Sequence, residues 1–228
     1  MRNNDSSPIL TDCTFEGNTA SVDGGGMYND HGSAPTLDGC DFISNSAANS
    51  GGAMIILTDS EMNANNCLIE DNTAIFGGGI QVVGSKDSFI GCTFNNNVAS
   101  GSGGGLYLQT AQPVLVENCI FTGNIAHGMD GGWGVGGGIR TLSADATIRG
   151  CRFEGNVAMG SSSHGIPPRG AAIDWGDDSN EPSPTLQDNE ICGNTPSTEQ
   201  IYPATGWIDD GGNCINDVCD SDSDGTND

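Results

Sequence analysis

The stretch from Cys13 to Asn29, CTFEGNTASVDGGGMYN, is restated from Cys40 to Ile56 as CDFISNSAANSGGAMII. Both copies read Cys-x-Phe-x-x-Asn-x-Ala and end in a small-residue cluster followed by apolar residues. The motif recurs at Cys13, Cys40, Cys67, Cys92, Cys119 and Cys151, with a degenerate copy that begins at Asn189. Successive cysteines stand 25 to 32 residues apart. A period of this length is typical of a solenoid, in which each unit stacks on its neighbours.

Three further columns of residues follow the same period. An alanine stands two residues after almost every repeated asparagine, and a glycine cluster followed by an apolar residue closes each unit. Another column, mostly apolar, stands three positions before each repeat, at Leu10, Leu37, Ala64, Phe89, Val116, Ile148 and Leu186. Each unit therefore contains three short strand-like segments separated by Asn- or Gly-rich turns, and no segment of helical period is long enough for a helix.

These columns predict an all-β fold, a right-handed parallel β-helix of about seven coils with three short strands per coil. Because side chains alternate along a strand, the repeated Cys and Phe would point into the core. The repeated Asn would bond its amide to neighbouring coils, and the glycines would permit bends that a Cβ would block. We divide the chain into a lead-in (1–7), the β-helix (8–196), a capping segment (197–216) and an acidic tail (217–228).

The lead-in supplies no obvious cap for the first coil, so the strand edges at this end are expected to be open. We expect either an upstream part of the chain or another copy to cover them. Self-association through this N-terminal edge, giving oligomers or filaments, is therefore one functional hypothesis. The polar first residues are no signal peptide, and no apolar run approaches the ~20 residues of a membrane span, so membrane insertion is not expected.

Composition limits the classes of partner. The chain carries 30 acidic and 6 basic residues, for a net charge of −24. Nucleic acids and anionic membranes are unsuitable partners, because both require clustered Lys and Arg. The charge favours divalent cations, although solubility alone also accounts for it.

The nine cysteines fall into two groups. Six occupy the repeat, where a thiol acts as a small apolar filler and parallel side-chain directions would strain any disulfide between coils. Cys192, Cys214 and Cys219 lie outside that register. We expect one disulfide among these three in an oxidising compartment, with Cys192–Cys214 the first choice as a staple for the end of the solenoid.

The paired motifs Phe-x-x-Asn and Gly-Gly-(Ala/Gly)-(Ile/Leu/Met) resemble the repeats of the chlamydial polymorphic outer-membrane proteins and related bacterial surface proteins of the pectate-lyase-like superfamily. The resemblance covers Leu10–Asn194. Ile191–Cys214 also looks like the closing segment of such domains, in which Trp207 would cover the last coil. The resemblance implies an exported, extracellular or cell-surface bacterial protein, commonly an adhesin or a carbohydrate-associated module.

The acidic tail ends in DSDSDGTND, which resembles the calcium loops of thrombospondin type 3 and dockerin repeats. Carboxylates at alternate positions before a glycine turn can converge on one hard cation. The expected calcium ligands are Asp220, Asp222, Asp224 and Asp228. The later acidic ligand of such loops does not follow, so a disordered tail is the alternative.

Two insertions mark coils five and six. IAHGMDGGWGV follows Asn124 and VAMGSSSHGIPPR follows Asn156, so both interrupt the same turn and should project from one side. Beside them runs the column one residue past the apolar residue of each glycine strand, which alternation places on the outward face. We expect a glycan site of aromatic and charged side chains at Tyr107, His127, Trp133, Arg140, His164, Arg169 and Asp174.

Each part of this site has a second interpretation. Trp133 could instead fold its own loop over the solenoid. Arg140 and Asp174 could form a cross-strand ion pair of small energy. The histidines are expected to be hydrogen-bonding loop residues rather than metal ligands, since no third ligand has diagnostic spacing.

The functional expectation is a secreted or cell-surface module that is structural, adhesive or glycan-binding, without catalysis, and whose partner is a polysaccharide or cell-surface glycan. The alternative is a polysaccharide lyase or glycoside hydrolase that uses Arg140, Asp174, Asp130 and Arg169. We consider it weaker because no clear catalytic constellation is visible. The acidic field would also repel a uronate polymer unless calcium bridged it.

Overall fold

The computed structural model describes residues 1–128, 133–161, 165, 167–176, 182–196, 200–202 and 208–216. All regular elements within these ranges are β-strands. This part of the chain contains no helix of the length and apolarity that a membrane span requires.

The strands form four parallel sheets. The first sheet contains β1 (Arg2–Asn4), β5 (Met27–Asp30), β9 (Met54–Ile56), β13 (Ile80–Val83), β17 (Leu106–Gln109), β21 (Ile139–Leu142), β25 (Ile173–Asp174) and β28 (Ile201–Tyr202). The second contains β2 (Ile9–Thr11), β6 (Thr36–Asp38), β10 (Asn63–Asn65), β14 (Ser88–Ile90), β18 (Val114–Glu117), β22 (Ala146–Arg149), β26 (Thr185–Gln187) and β29 (Ile208–Asp209). The third contains β3 (Thr14–Glu16), β7 (Asp41–Ile43), β11 (Leu68–Glu70), β15 (Thr93–Asn95), β19 (Ile120–Thr122), β23 (Arg152–Glu154), β27 (Glu190–Cys192) and β30 (Cys214–Asn216). The fourth contains two-residue strands: β4 (Thr19–Ala20), β8 (Ser46–Ala47), β12 (Thr73–Ala74), β16 (Val98–Ala99), β20 (Ile125–Ala126) and β24 (Val157–Ala158).

The chain visits the sheets in turn, and each strand pairs with its counterpart in the next coil. Repeat residues therefore face their own equivalents, as where Phe94 pairs with Phe121 and Phe121 with Phe153. This arrangement confirms the predicted parallel β-helix. The fourth sheet was not predicted, because two-residue strands at the alanine column are too short for a pattern of alternation to reveal.

Aromatic rings and thiols fill the core as continuous stacks. Phe121 lies between Phe94 and Phe153, with ring centroids 4.6 and 4.8 Å away and the planes nearly parallel. These distances match the ~4.8 Å spacing of adjacent strands. The neighbouring thiol of Cys119, together with burial, raises the pKa of Cys92 to about 12. The ladder cysteines form no disulfides, which agrees with their expected role as apolar fillers.

The repeated asparagines form a ladder of amide hydrogen bonds. Asn124 Nδ2 donates to the carbonyl of Phe94 at 2.9 Å and to Asn156 Oδ1 at 2.9 Å. Its Oδ1 accepts the backbone N–H and the amide of Asn97 at 3.1 and 3.0 Å. Both the Nδ2 and the Oδ1 of the buried Asn124 amide therefore have hydrogen-bond partners, as predicted.

The asparagine ladder ends on a different residue type. Asn194 donates its amide to Gln200 Oε1 at 2.8 Å, where the next coil would otherwise supply another asparagine. Gln200 is buried and its backbone carbonyl accepts bonds from Ala172 and Ile173. A longer amide therefore closes the ladder without leaving Asn194 Nδ2 short of an acceptor.

The glycine cluster is required by close contacts between coils. A Cβ on Gly104 would lie 2.4 Å from the carbonyl oxygen of Gly137 in the next coil. Gly103 has a φ of +70°, and a Cβ there would lie 2.6 Å from the Cβ of Tyr107. Gly103 thus allows a left-handed turn, and Gly104 allows the backbones of adjacent coils to approach each other.

The expected Cys192–Cys214 disulfide is wrong. Cys192 takes part in a disulfide, whereas Cys214 is a reduced thiol. In the strand register Cys192 faces Asn216 and Cys214 faces Glu190. The two cysteines are therefore offset by two residues on adjacent strands, about 8 Å between Cα atoms, which exceeds the reach of a disulfide. Cys219 lies outside the described residues.

A buried carboxylate, Asp87, anchors a turn between the first two sheets. Oδ1 accepts the backbone N–H of Met62 at 2.7 Å, and Oδ2 accepts the hydroxyl of Ser85 at 2.6 Å. The side chain is almost fully buried, and this burial raises the pKa of Asp87 from 3.8 to about 6. The hydrogen bonds offset only part of the cost of burying the charge.

We expect Asp87→Asn to raise the free energy of unfolding by about 3 kcal/mol at pH 8. The folded state holds the Asp87 proton more tightly than the unfolded state does, so this group lowers stability as pH rises from about 4 to about 6. An asparagine keeps the bond to Met62 and removes the charge. Urea unfolding from pH 3.5 to 8 should show the two proteins converging near pH 4, while the exposed control Asp59→Asn shows no such convergence. If the free energies of unfolding of Asp87→Asn and the parent differ by the same amount at every pH, the raised pKa of Asp87 is contradicted.

Candidate functional site

The outward column of the first sheet is covered rather than open. Gln81, Tyr107, Arg140, Asp174 and Tyr202 pair in sequence on adjacent strands, on the opposite side from the core residues. The first four of them are nevertheless buried. The glycine turn lies directly against this face, since a Cβ on Gly136 would lie 2.8 Å from Arg140 Cβ. The alternation of side chains therefore predicted on which side of each strand these residues lie. It did not predict that the chain folds back over that side.

At coils five and six the covered column holds an ionic cluster. Arg140 Nη1 contacts Asp174 Oδ1, and Arg169 Nε lies 3.3 Å from Asp174 Oδ2. All three side chains are buried. The ion pair considered from the sequence is thus present, with Arg169 as an additional member. Burial makes it energetically different from a weak surface pair, because an unpaired charge at this place would be costly.

Aromatic rings cover both guanidinium groups. Arg140 Cζ lies 5.8 Å from the ring centroid of Trp133, and Arg169 Cζ lies 4.1 Å from that of Tyr202. Cation–π contacts of this kind hold a guanidinium plane in place. Each arginine is therefore fixed between a carboxylate and an aromatic ring.

Trp133 both covers the ionic cluster and faces solvent. The residue is 43% exposed, and its backbone N–H donates to Ser102 Oγ at 3.3 Å. A role in folding its own loop and a role in ligand contact are therefore compatible. Trp133 packs on its own solenoid through Arg140, and the rest of its surface is exposed to solvent.

Tyr107 is less available than its position suggested. It is buried, and its ring packs against Phe76 with centroids 5.9 Å apart. The segment before the glycine cluster supplies Phe76, which lies over the outward face. A direct contact of Tyr107 with a ligand would require this segment to move.

His127 lies at the same turn as Trp133 and is half buried. Its Nδ1 is 3.1 Å from the sulfur of Met159, an exposed residue of the next coil. Met159 was not singled out from the sequence, although it follows Ala158 as His127 follows Ala126. Tyr202 was also overlooked, although the strand register makes it the next member of the outward column.

Several predicted site residues lie outside the described residues: Asp130, His164, Asp220, Asp222, Asp224 and Asp228. Their roles, including calcium binding by the tail, stay predictions. Within the part of the chain that the structure describes, no three His, Cys, Asp or Glu side chains are grouped so that they could hold a metal ion.

Comparison with known proteins supports the fold. A family model described as "Right handed beta helix region" matches residues 1–212, most of the chain. No curated protein matches the sequence. No solved structure matches it either.

Proposed function

Because the chain belongs to the right-handed beta-helix family, we propose that it is a non-catalytic binding module whose exposed Trp133 stacks on a sugar ring of a polysaccharide or cell-surface glycan. The observation that carries the proposal is a tryptophan residue on an insertion that is 43% exposed and whose ring packs on a buried arginine. Rigid aromatic platforms supply large contact area at low entropic cost, and sugar rings present apolar faces to them.

The support beneath Trp133 favours binding over catalysis. Arg140 would have to act as a base in a lyase, and Asp174 as a carboxylate in a hydrolase. Each is instead engaged with the other inside the protein. An arginine that neutralises a buried carboxylate is poorly suited to leave it during a reaction.

The charge of the chain narrows the proposed glycan class. A net charge of −24 disfavours approach of a polyanion such as a uronate polymer. We therefore propose neutral glycans as the preferred ligands. The disulfide at Cys192 supports a location outside the cytoplasm, where such ligands are found.

We expect Trp133→Ala to weaken glycan binding at least about tenfold, a loss that corresponds to about 1.4 kcal/mol. A glycan array would identify the ligand, and calorimetry would measure its affinity for parent and variant. Ile120→Ala is the matched control, since Ile120 is 42% exposed but lies on the third sheet. Equal losses in both variants would contradict a specific role for Trp133. New reducing or unsaturated ends in the same mixtures would overturn the non-catalytic assignment.

A further inference from the structure

The residues that directly follow β20 and β24 bring an imidazole and a thioether into direct contact. His127 Nδ1 and Met159 Sδ are 3.1 Å apart, and both side chains are accessible from solvent. We propose that this pair binds a soft monovalent metal ion of the Cu(I) or Ag(I) class. The site is independent of the proposed glycan contact, because neither side chain belongs to the ionic cluster beneath Trp133.

The backbone holds the two ligands in register. The His127 N–H donates to the carbonyl of Ala99, and the Met159 N–H donates to that of Ala126, both at 2.9 Å. Ala126 and Ala158, which immediately precede the two ligands, pair on adjacent strands. The pair is therefore positioned by the solenoid itself rather than by the excursion of a loop.

The corresponding position in the preceding coils carries no comparable ligand. There the residue after the alanine column is Ser21, Ala48, Ile75 and Ser100. A soft donor enters this column only at coils five and six, which are also the coils with the long insertions. Two soft donors on consecutive coils are therefore a local feature and not a product of the repeat.

The chemistry of the two atoms favours a soft cation over a simple hydrogen bond. A thioether is a weak hydrogen-bond acceptor, so an imidazole gains little from pointing a nitrogen at it. Thioether and imidazole are both good ligands for Cu(I), whereas hard cations prefer oxygen. The acidic surface also raises the local concentration of any cation.

The pair can accept an ion once the Met159 side chain rotates. A metal ion forms bonds of about 2.0 Å to an imidazole nitrogen and about 2.3 Å to sulfur, as zinc does in proteins. At the observed separation of 3.1 Å these bonds would meet at about a right angle, whereas a two-coordinate Cu(I) or Ag(I) ion prefers a nearly linear arrangement. Rotation of the flexible Met159 side chain widens this angle without moving the backbone. Low coordination numbers suit Cu(I) and Ag(I), while structural zinc requires four protein ligands.

The test uses the whole chain with its methionine methyl groups labelled with ¹³C and its accessible thiols first blocked by alkylation. Ag(I) is titrated and the methyl resonances are followed by NMR. We expect the Met159 methyl to shift and to saturate at one Ag(I) per chain, together with the ring protons of His127. Met1, which is 50% exposed where Met159 is 48% exposed, is the internal control and should shift only at higher Ag(I).

Substitutions separate a built site from incidental binding by sulfur. His127→Ala should weaken Ag(I) binding at Met159 at least tenfold, and Met159→Leu should remove the saturating shift of the His127 ring. Both variants should retain the unfolding midpoint of the parent, since both side chains are accessible. The proposal is overturned if the Met1 and Met159 methyls shift in parallel, or if His127→Ala leaves the titration of Met159 unchanged.

Discussion

Replacing Asn124 by alanine is expected to lower the free energy of unfolding by about 5 kcal/mol. The substitution removes an amide that is completely buried and bonded to the coils on both sides. The carbonyl of Phe94 loses a donor, and both the backbone N–H and the amide of Asn97 lose an acceptor. Each buried polar group left without a partner costs about 1 to 3 kcal/mol, and water cannot readily reach them.

Asn18 provides the matched control at the first coil of the same ladder. Its amide donates to Asn45 Oδ1 at 2.9 Å, but the residue is exposed. We expect Asn18→Ala to cost about 1 kcal/mol, because water replaces the lost partner. Urea unfolding followed by circular dichroism measures both values. Similar losses in the two variants would show that the ladder does not stabilise the fold through buried amides.

Hydrogen exchange tests how many coils are destabilised by Asn124→Ala. In a solenoid each coil is stabilised chiefly by its nearest neighbours. The amides around Asn97 and Asn156 should therefore exchange faster in Asn124→Ala, while those around Asn45 keep their protection at low urea. Uniform loss of protection would mean that the coils unfold as one unit.

The ladders could be predicted from sequence because each inward position is restated once per coil. Phe94, Asn124 and their equivalents each have several independent copies, so register and direction follow from the period alone. Gln200 has no such copies. It closes the ladder by geometry, because a longer amide reaches Asn194 from the bend just before β28, where the motif is absent.

The site could be predicted only in part, for a related reason. Alternation along β21 and β25 correctly placed Arg140 and Asp174 away from the core. It could not show that the glycine turn covers them, because covering depends on contacts between segments that the pattern does not relate. The His127–Met159 contact could in principle be predicted from the sequence, since both residues follow the alanine column by one position.

The ionic cluster leads to the other large expected effect. Asp174→Ala should lower the free energy of unfolding by about 3 to 5 kcal/mol, because Arg140 and Arg169 both lose a buried counter-charge. The surface pair of Arg152 and Glu154 is the control: both side chains are partly exposed, and Glu154→Ala should cost less than about 1 kcal/mol. Urea unfolding at pH 7 measures both changes.

The same variant distinguishes a supporting role for Asp174 from a catalytic one. If Asp174 acts only by holding Arg140 beneath Trp133, Asp174→Ala should weaken glycan binding as it weakens the fold, and Asp174→Asn should restore part of both because its oxygen can still accept from a guanidinium. A catalytic carboxylate would behave differently, since asparagine would abolish turnover while it preserved binding. Affinity, product formation and unfolding free energy measured on the same three proteins therefore decide between the roles, and any turnover by the parent that Asp174→Asn abolishes would overturn the binding-module proposal.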